Sequence, residues 1–137
     1  MTEAAGTILD ASALLAYLRD EPGADIVEQT MGAGALIASV NWAEVLSRLV
    51  DGAEQDIGSI VSRLRGRGIP GGLLAVVPLT EEDAVAIARH RPATRPFGLS
   101  LADRAALAMA QRLGVPILTA DRVWQQVKVG ISIRLIR

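Results

Sequence analysis

Short apolar runs alternate with longer stretches of helical periodicity along this chain, the pattern of an α/β fold with a mainly parallel sheet. Gly6-Thr7-Ile8-Leu9 reads as a first strand ending at Asp10. Residues 12–20 follow as a helix, and Pro22 opens a second that runs to about Met31. Ala35-Leu36-Ile37-Ala38 is a buried strand, followed by helices over roughly 41–50 and 53–65. Gly66 to Gly72 is loop. Leu73 to Val77 form a third strand stopped by Pro78, and Thr80 caps a helix through about His90. Arg91 to Pro96 is a proline-punctuated connection. Residues 101–113 make the clearest helix, closed by Gly114 and Pro116. Ile117-Leu118-Thr119 is the fourth strand and Ile131 to Ile136 the fifth. With no repeat or linker, the 137 residues read as one domain: a five-stranded, mainly parallel sheet flanked by helices.

Half the chain is apolar and 21% charged, which excludes intrinsic disorder. Its core is aliphatic, since Tyr17, Trp42, Phe97 and Trp124 are the only aromatics. Cysteine is absent, so neither a disulfide framework nor a thiolate site is available. No apolar stretch reaches membrane-spanning length and no secretory signal opens the chain, so the cytoplasm is the expected address. A net charge of −1 gives no global basic field for nucleic acid. Thirteen of the fourteen cations are nevertheless arginine, whose planar fork suits phosphate. GC-rich coding accounts for the same bias.

Two acids sit just past strand ends, Asp10 and Asp121, on the edge where open parallel sheets bind ligands. Glu44 and Asp103 fall in the first turns of helices expected to start from that edge. Asn41-x-x-Glu44 and Ser100-x-x-Asp103 also have the form of capping boxes, as does Thr80-x-x-Asp83, an internal control. Angular position separates the last two. Asp103 opens the apolar stripe Ala106, Leu107, Ala110, where a charge needs a partner, whereas Asp83 lies to one side of its helix's apolar face. Glu44 stands opposite its helix's apolar side, and two readings hold for it: an exposed pair with Arg48 at i,i+4, or a place in an open cleft.

Oxygen-only ligands favour Mg²⁺ or Mn²⁺, and with His90 alone, read as a surface residue, zinc is not expected. Ser12, Ser39 and Thr119 are polar groups near the acids that either orient waters or cap helices. Divalent ions among carboxylates activate water and polarise a phosphodiester, so a nuclease is the chemistry indicated. No phosphate-binding or dinucleotide glycine loop is present.

Taken in order, Ile8-Leu9-Asp10-Ala11-Ser12, Ser39-Val40-Asn41-Trp42-Ala43-Glu44-Val45, Gly98-Leu99-Ser100-Leu101-Ala102-Asp103-Arg104 and Leu118-Thr119-Ala120-Asp121 resemble the PIN domain, in particular the VapC-type toxins of bacterial toxin–antitoxin pairs. The resemblance implies a three-layer α/β sandwich and an endoribonuclease dependent on Mg²⁺ or Mn²⁺. It places Asp10, Glu44, Asp103 and Asp121 around the metal, supported by Ser12 and Thr119. It also implies an RNA substrate, a homodimer and a cognate antitoxin that covers the cleft. Glu44 owes its place to this resemblance. The loop at Gly66–Gly72 and the connection at Arg91–Pro96 are not mapped by it. Arg63, Arg65, Arg67, Arg89, Arg91 and Arg95 are candidates for an RNA-facing rim, with solvated arginines as the alternative. Two rivals are a PIN-type nuclease of RNA processing and a receiver-like signalling domain. The latter needs an aspartate after the third strand, where this chain has Val77-Pro78.

Overall fold

A computed structural model describes residues 6–52 and 56–137. Five strands, β1 (Thr7–Leu9), β2 (Ala35–Ala38), β3 (Leu74–Val77), β4 (Ile117–Thr119) and β5 (Ile133–Leu135), form one sheet in the order β3-β2-β1-β4-β5. Every pairing is parallel, with Ile8 opposite both Leu36 and Ile117. Such a sheet is covered on both faces, which is why its strands are unbroken apolar runs rather than alternating ones. Neighbouring strand residues still face opposite ways. Leu9, Ile37 and Leu118 enter one core, with α1 (Ala11–Leu18), α2 (Ala24–Gly32), α3 (Ser39–Val50) and α4 (Ile57–Gly66). Ile8, Ala38 and Ile117 enter the other, against α7 (Leu101–Leu113) and the buried Trp124. The α5 helix (Glu81–Arg89) packs on α7 through Ile87, Ala105 and Ala108. The result is the expected three-layer α/β sandwich.

The chain leaves β1 in one direction to build β2 and β3, then crosses to the far side of β1 to build β4 and β5. That reversal makes a switch point between β1 and β4, where the following loops diverge and leave a crevice at the strands' carboxyl ends. Asp10 and Asp121 follow those two strands.

Some boundaries differ from the sequence pattern. Pro22 does not open α2, because Gly23 is its N-cap, with φ at +95°. A Cβ there would come within 2.7 Å of Ile136, so only glycine admits both the dihedral and the C-terminal segment. Residues 53–55 of the expected 53–65 helix lie outside the described residues, and α4 itself begins at Ile57, capped by Asp56. Within the proline-rich connection a short helix, α6 (Arg91–Thr94), runs into a 3₁₀ turn at Arg95–Phe97. A further 3₁₀ turn, Arg122–Gln126, follows Asp121.

Candidate active site

Asp10 follows β1 and caps α1 at once. Its Oδ1 accepts from the Ala13 N–H at 2.9 Å and from Ser12 Oγ at 2.7 Å, while Oδ2 accepts from Thr119 Oγ1. Thr119, buried at the end of β4, accepts in turn from the Asp121 N–H at 3.1 Å, and Ser12 Oγ accepts from the Ala120 N–H at 2.9 Å. Ser12 and Thr119 therefore stitch the two diverging loops together across the crevice; neither caps a helix. Burial pushes the Asp10 carboxyl up to about 6. Hydrogen bonds from Thr119, Ser12 and Ala13 oppose the rise, and the Asp103 charge adds to it.

Asp103 closes a full capping box: Ser100 N–H donates to its Oδ2 at 2.8 Å and its own N–H donates to Ser100 Oγ at 3.1 Å. Burial raises its pKa, the Ser100 bonds hold it back, and the Asp121 charge raises it further. A cap needs one carboxylate oxygen of two, so capping and lining a site are compatible. Asp121, exposed, caps the following 3₁₀ turn by accepting from the Val123 N–H at 3.1 Å.

Glu44 arrives differently from the sequence expectation. Ala38 is the N-cap of α3 and Ser39 its first residue, so Glu44 lies in the second turn and Asn41 caps nothing. Asn41 is fully buried, and its Nδ2 donates to the Ala102 carbonyl at 3.0 Å, fastening α3 to α7 one residue before Asp103. The sequence offers Asn41 as the cap of a box with Glu44, and nothing local marks it as a buried tie between two helices. Both readings of Glu44 prove compatible. It pairs with Arg48 at 3.6 Å and also lines the cleft. Burial raises its pKa, the Asp103 charge adds to this, and Arg48 lowers it.

All four acids line one cleft of about 310 Å³, together with Ser12, Ser100, Arg48 and the edge of Trp124. Among the described residues no three His, Cys, Asp or Glu side chains are already drawn around one ion. Mg²⁺ does not need such a cage, since it keeps several waters and takes one or two carboxylates plus substrate phosphate. An all-oxygen donor set with carboxylates pushed up by burial and by one another fits a hard divalent cation.

Two expectations are corrected here. Asp83, the control, is more buried than Asp103: it closes its own capping box with Thr80 and takes a bidentate contact from Arg112 at 2.8 and 3.1 Å. Burial pushes Asp83 up, but Arg112 and Thr80 outweigh it and hold the carboxyl below the usual range. Angular position does not separate the two acids, because α7 is buried all round from Arg104 to Ala110, with Arg104 donating to the Ile87 carbonyl at 2.9 Å. His90 is buried, not a surface residue, and its Nε2 meets Gln111 Oε1 at 3.1 Å. Arg89, Arg91 and Arg95 are exposed, as a rim requires, and lie outside the acid cleft, whose cation among the described residues is Arg48.

The family model of the PIN domain matches residues 7–130. Among solved structures, a DNA-bound VapBC from Salmonella typhimurium superposes with a TM-score of 0.73 at 14% identity, over 97% of this chain and 99% of that one. FitAcB from Neisseria gonorrhoeae gives 0.69 at 16%, over 93% and 95%. A toxin–antitoxin complex from Klebsiella pneumoniae gives 0.68 at 17%, over 96% and 98%. No curated protein matches the chain by sequence.

Proposed function

The chain belongs to the PIN domain family, and on that premise we propose that it is a metal-dependent endoribonuclease acting as the toxin of a type II toxin–antitoxin pair. The observation that carries the proposal is the convergence of Asp10, Glu44, Asp103 and Asp121 on one cleft at the switch point between β1 and β4.

Asp10, Glu44, Asp103 and Asp121 would hold Mg²⁺ or Mn²⁺. When bound, such an ion makes water acidic enough to attack a phosphodiester and neutralises charge on the phosphate. The protein's own part is placement. Ser12 Oγ and Thr119 Oγ1 hold both oxygens of Asp10, so its carboxylate cannot rotate away from the cleft. Asn41 keeps α3, and with it Glu44, at a fixed distance from the start of α7. Ser100 fixes the rotamer of Asp103. Arg48 stands at the rim, where it can meet a substrate phosphate with its guanidinium fork.

The toxin role is supported by the fold shared along nearly the whole length of VapBC and FitAcB chains, and we extend it to a cognate antitoxin as partner, a homodimer as assembly and the cytoplasm as site of action. The test is cleavage of structured RNA by the purified chain. Cleavage is expected with Mg²⁺ or Mn²⁺ and not with a chelator, and Asp10→Asn or Asp103→Asn should abolish it. Undiminished activity of Asp103→Asn across a metal titration refutes the mechanism. Sequencing the RNA ends produced on brief induction in cells would then name the target.

A further inference from the structure

We infer that a groove leading away from the four acids is the track of the RNA strand, with Arg48, Arg19, Arg63 and Arg67 as its phosphate contacts. The inference rests on the nuclease reading and locates the substrate it requires.

Three concavities join end to end. The acid cleft shares Ser12, Glu44 and Arg48 with a small one of about 160 Å³ beside α1. That one shares Arg19 and Arg48 with a larger groove of about 390 Å³ between the ends of α1 and α3 and the face of α4. Glu44 and Arg48 mark the path along α3, which carries it about 9 Å from Glu44 to the helix end, with Gly52 just beyond.

The larger groove has an apolar floor of Leu49, Ile60 and Leu64 and an arginine rim. Among the described residues no carboxylate lines it. All four arginines are exposed, and Arg67 is steadied by Tyr17, whose ring centroid lies 5.5 Å from the guanidinium carbon. Single strands are commonly held by a cationic groove that tracks the backbone; here the floor is aliphatic, so the arginine rim carries the contact. The chain's net charge of −1 makes a local rim necessary, because the molecule as a whole does not attract RNA. Four carboxylates at the cleft repel phosphate and the rim supplies the attraction they oppose; Glu21, which lines the small concavity between them, is paired with Arg137 at 3.5 Å. A strand is favoured over an acidic peptide by continuity, since the substrate has to arrive at the acids. Arg65 and Arg89, Arg91 and Arg95 line none of the three concavities, which excludes them from the path.

The experiment measures binding of a 3′-fluorescein-labelled single-stranded RNA of mixed sequence to the full chain by anisotropy, with divalent metal chelated, over a salt series. Arg19→Ala, Arg63→Ala and Arg67→Ala should each weaken binding roughly fivefold, as expected for an exposed charge contact. Each should flatten the slope of log K against log salt by about 0.7, the value for one phosphate of a single strand. Arg63→Lys and Arg67→Lys should recover part of the affinity, which a folding defect would not allow. Arg65→Ala, Arg89→Ala, Arg91→Ala and Arg95→Ala should bind as the parent chain does. Equal losses in those controls, unchanged affinity in the groove variants, or no affinity of the parent chain for RNA would each overturn the assignment. Groove variants that keep RNA but lose a partner protein would assign the groove to that protein instead. Cleavage by the parent chain that ignores the groove variants sinks the groove alone; groove-dependent binding without any metal-dependent cleavage sinks the nuclease and leaves the groove.

Discussion

Replacing Asp10 with asparagine is expected to stabilise the fold at neutral pH while removing activity. Asp10 is 4% exposed, and burial is the main reason its carboxyl sits at about 6 rather than 3.8. At 1.36 kcal/mol per pKa unit, the charged form carries a penalty of about 3 kcal/mol. A raised folded pKa means that the folded chain binds the proton more tightly than the unfolded one. The penalty is therefore absent below pH 3.8, grows between 3.8 and about 6, and is complete above that. Asparagine is as good an N-cap and keeps an oxygen for Ser12 and Ala13, but its amide nitrogen faces Thr119, which loses an acceptor. That loss costs about 1 kcal/mol. Urea unfolding in the presence of chelator should thus show Asp10→Asn more stable than the parent by about 2 kcal/mol at pH 7.5. At pH 3.5 the order should reverse, with the variant less stable by about 1 kcal/mol. On the proposed function, added Mg²⁺ should raise the stability of the parent and not of the variant, which lacks the full set of acids proposed to hold it. A variant destabilised equally at both pH values would show that Asp10 is simply a cap, and the reasoning would be wrong.

Glu44→Gln should reduce cleavage on the order of 100-fold through weakened metal affinity, and change stability by no more than about 0.5 kcal/mol, because an exposed ion pair with Arg48 is worth little. If only stability moves, the pair is its whole role. Asn41→Ala should cost about 2 kcal/mol in thermal or urea unfolding, from the lost bond to Ala102 and the space left behind, and should weaken metal binding by calorimetry. Arg112→Ala should cost about 2 kcal/mol, less than for a fully buried pair since Arg112 is 35% exposed. The lowered pKa of Asp83 gives stability that is present above pH 3.8 and lost as pH falls through the folded value, so the gap between Arg112→Ala and the parent should narrow in acid. A gap constant from pH 7 to pH 3 would place the effect in packing instead.

The sheet was legible because parallel strands covered on both faces leave unbroken apolar runs. Ala35–Ala38, Leu101–Leu113 and Ile117–Thr119 fall where the pattern put them. What escaped was decided by a third body. Asp83 and Asp103 sit in identical capping boxes, and nothing local reveals that Arg112, 29 residues on, will neutralise one of them. Asn41 finds its acceptor 61 residues away. The helix after β2 begins without a capping side chain, so no signal marked Ser39 as its start and Glu44 was set a turn too early. Trp124 lies in a five-residue 3₁₀ turn, too short for any periodicity, yet it is fully buried and closes one wall of the cleft.

Caps and catalysts looked like competing explanations for these acids, and the geometry joins them. Asp10 and Asp121 each cap a helical turn, and Asp103 closes the capping box of α7, at N-termini that open on the same crevice. The α1 and α7 termini each bring a partial positive charge to that edge, which offsets part of the repulsion among carboxylates crowded into one cleft. Capping also fixes each rotamer, so the cluster is held in place before any cation enters. Glu44 has no such support, since it lies within α3 rather than at its start. Its compensation is Arg48, an exposed side chain on the rim shared by the cleft and the arginine groove. A phosphate that draws Arg48 away would leave Glu44 without its counter-charge while a strand fills the groove. On the proposed function, the acid least secured by the fold would thereby be the one whose charge answers to the substrate.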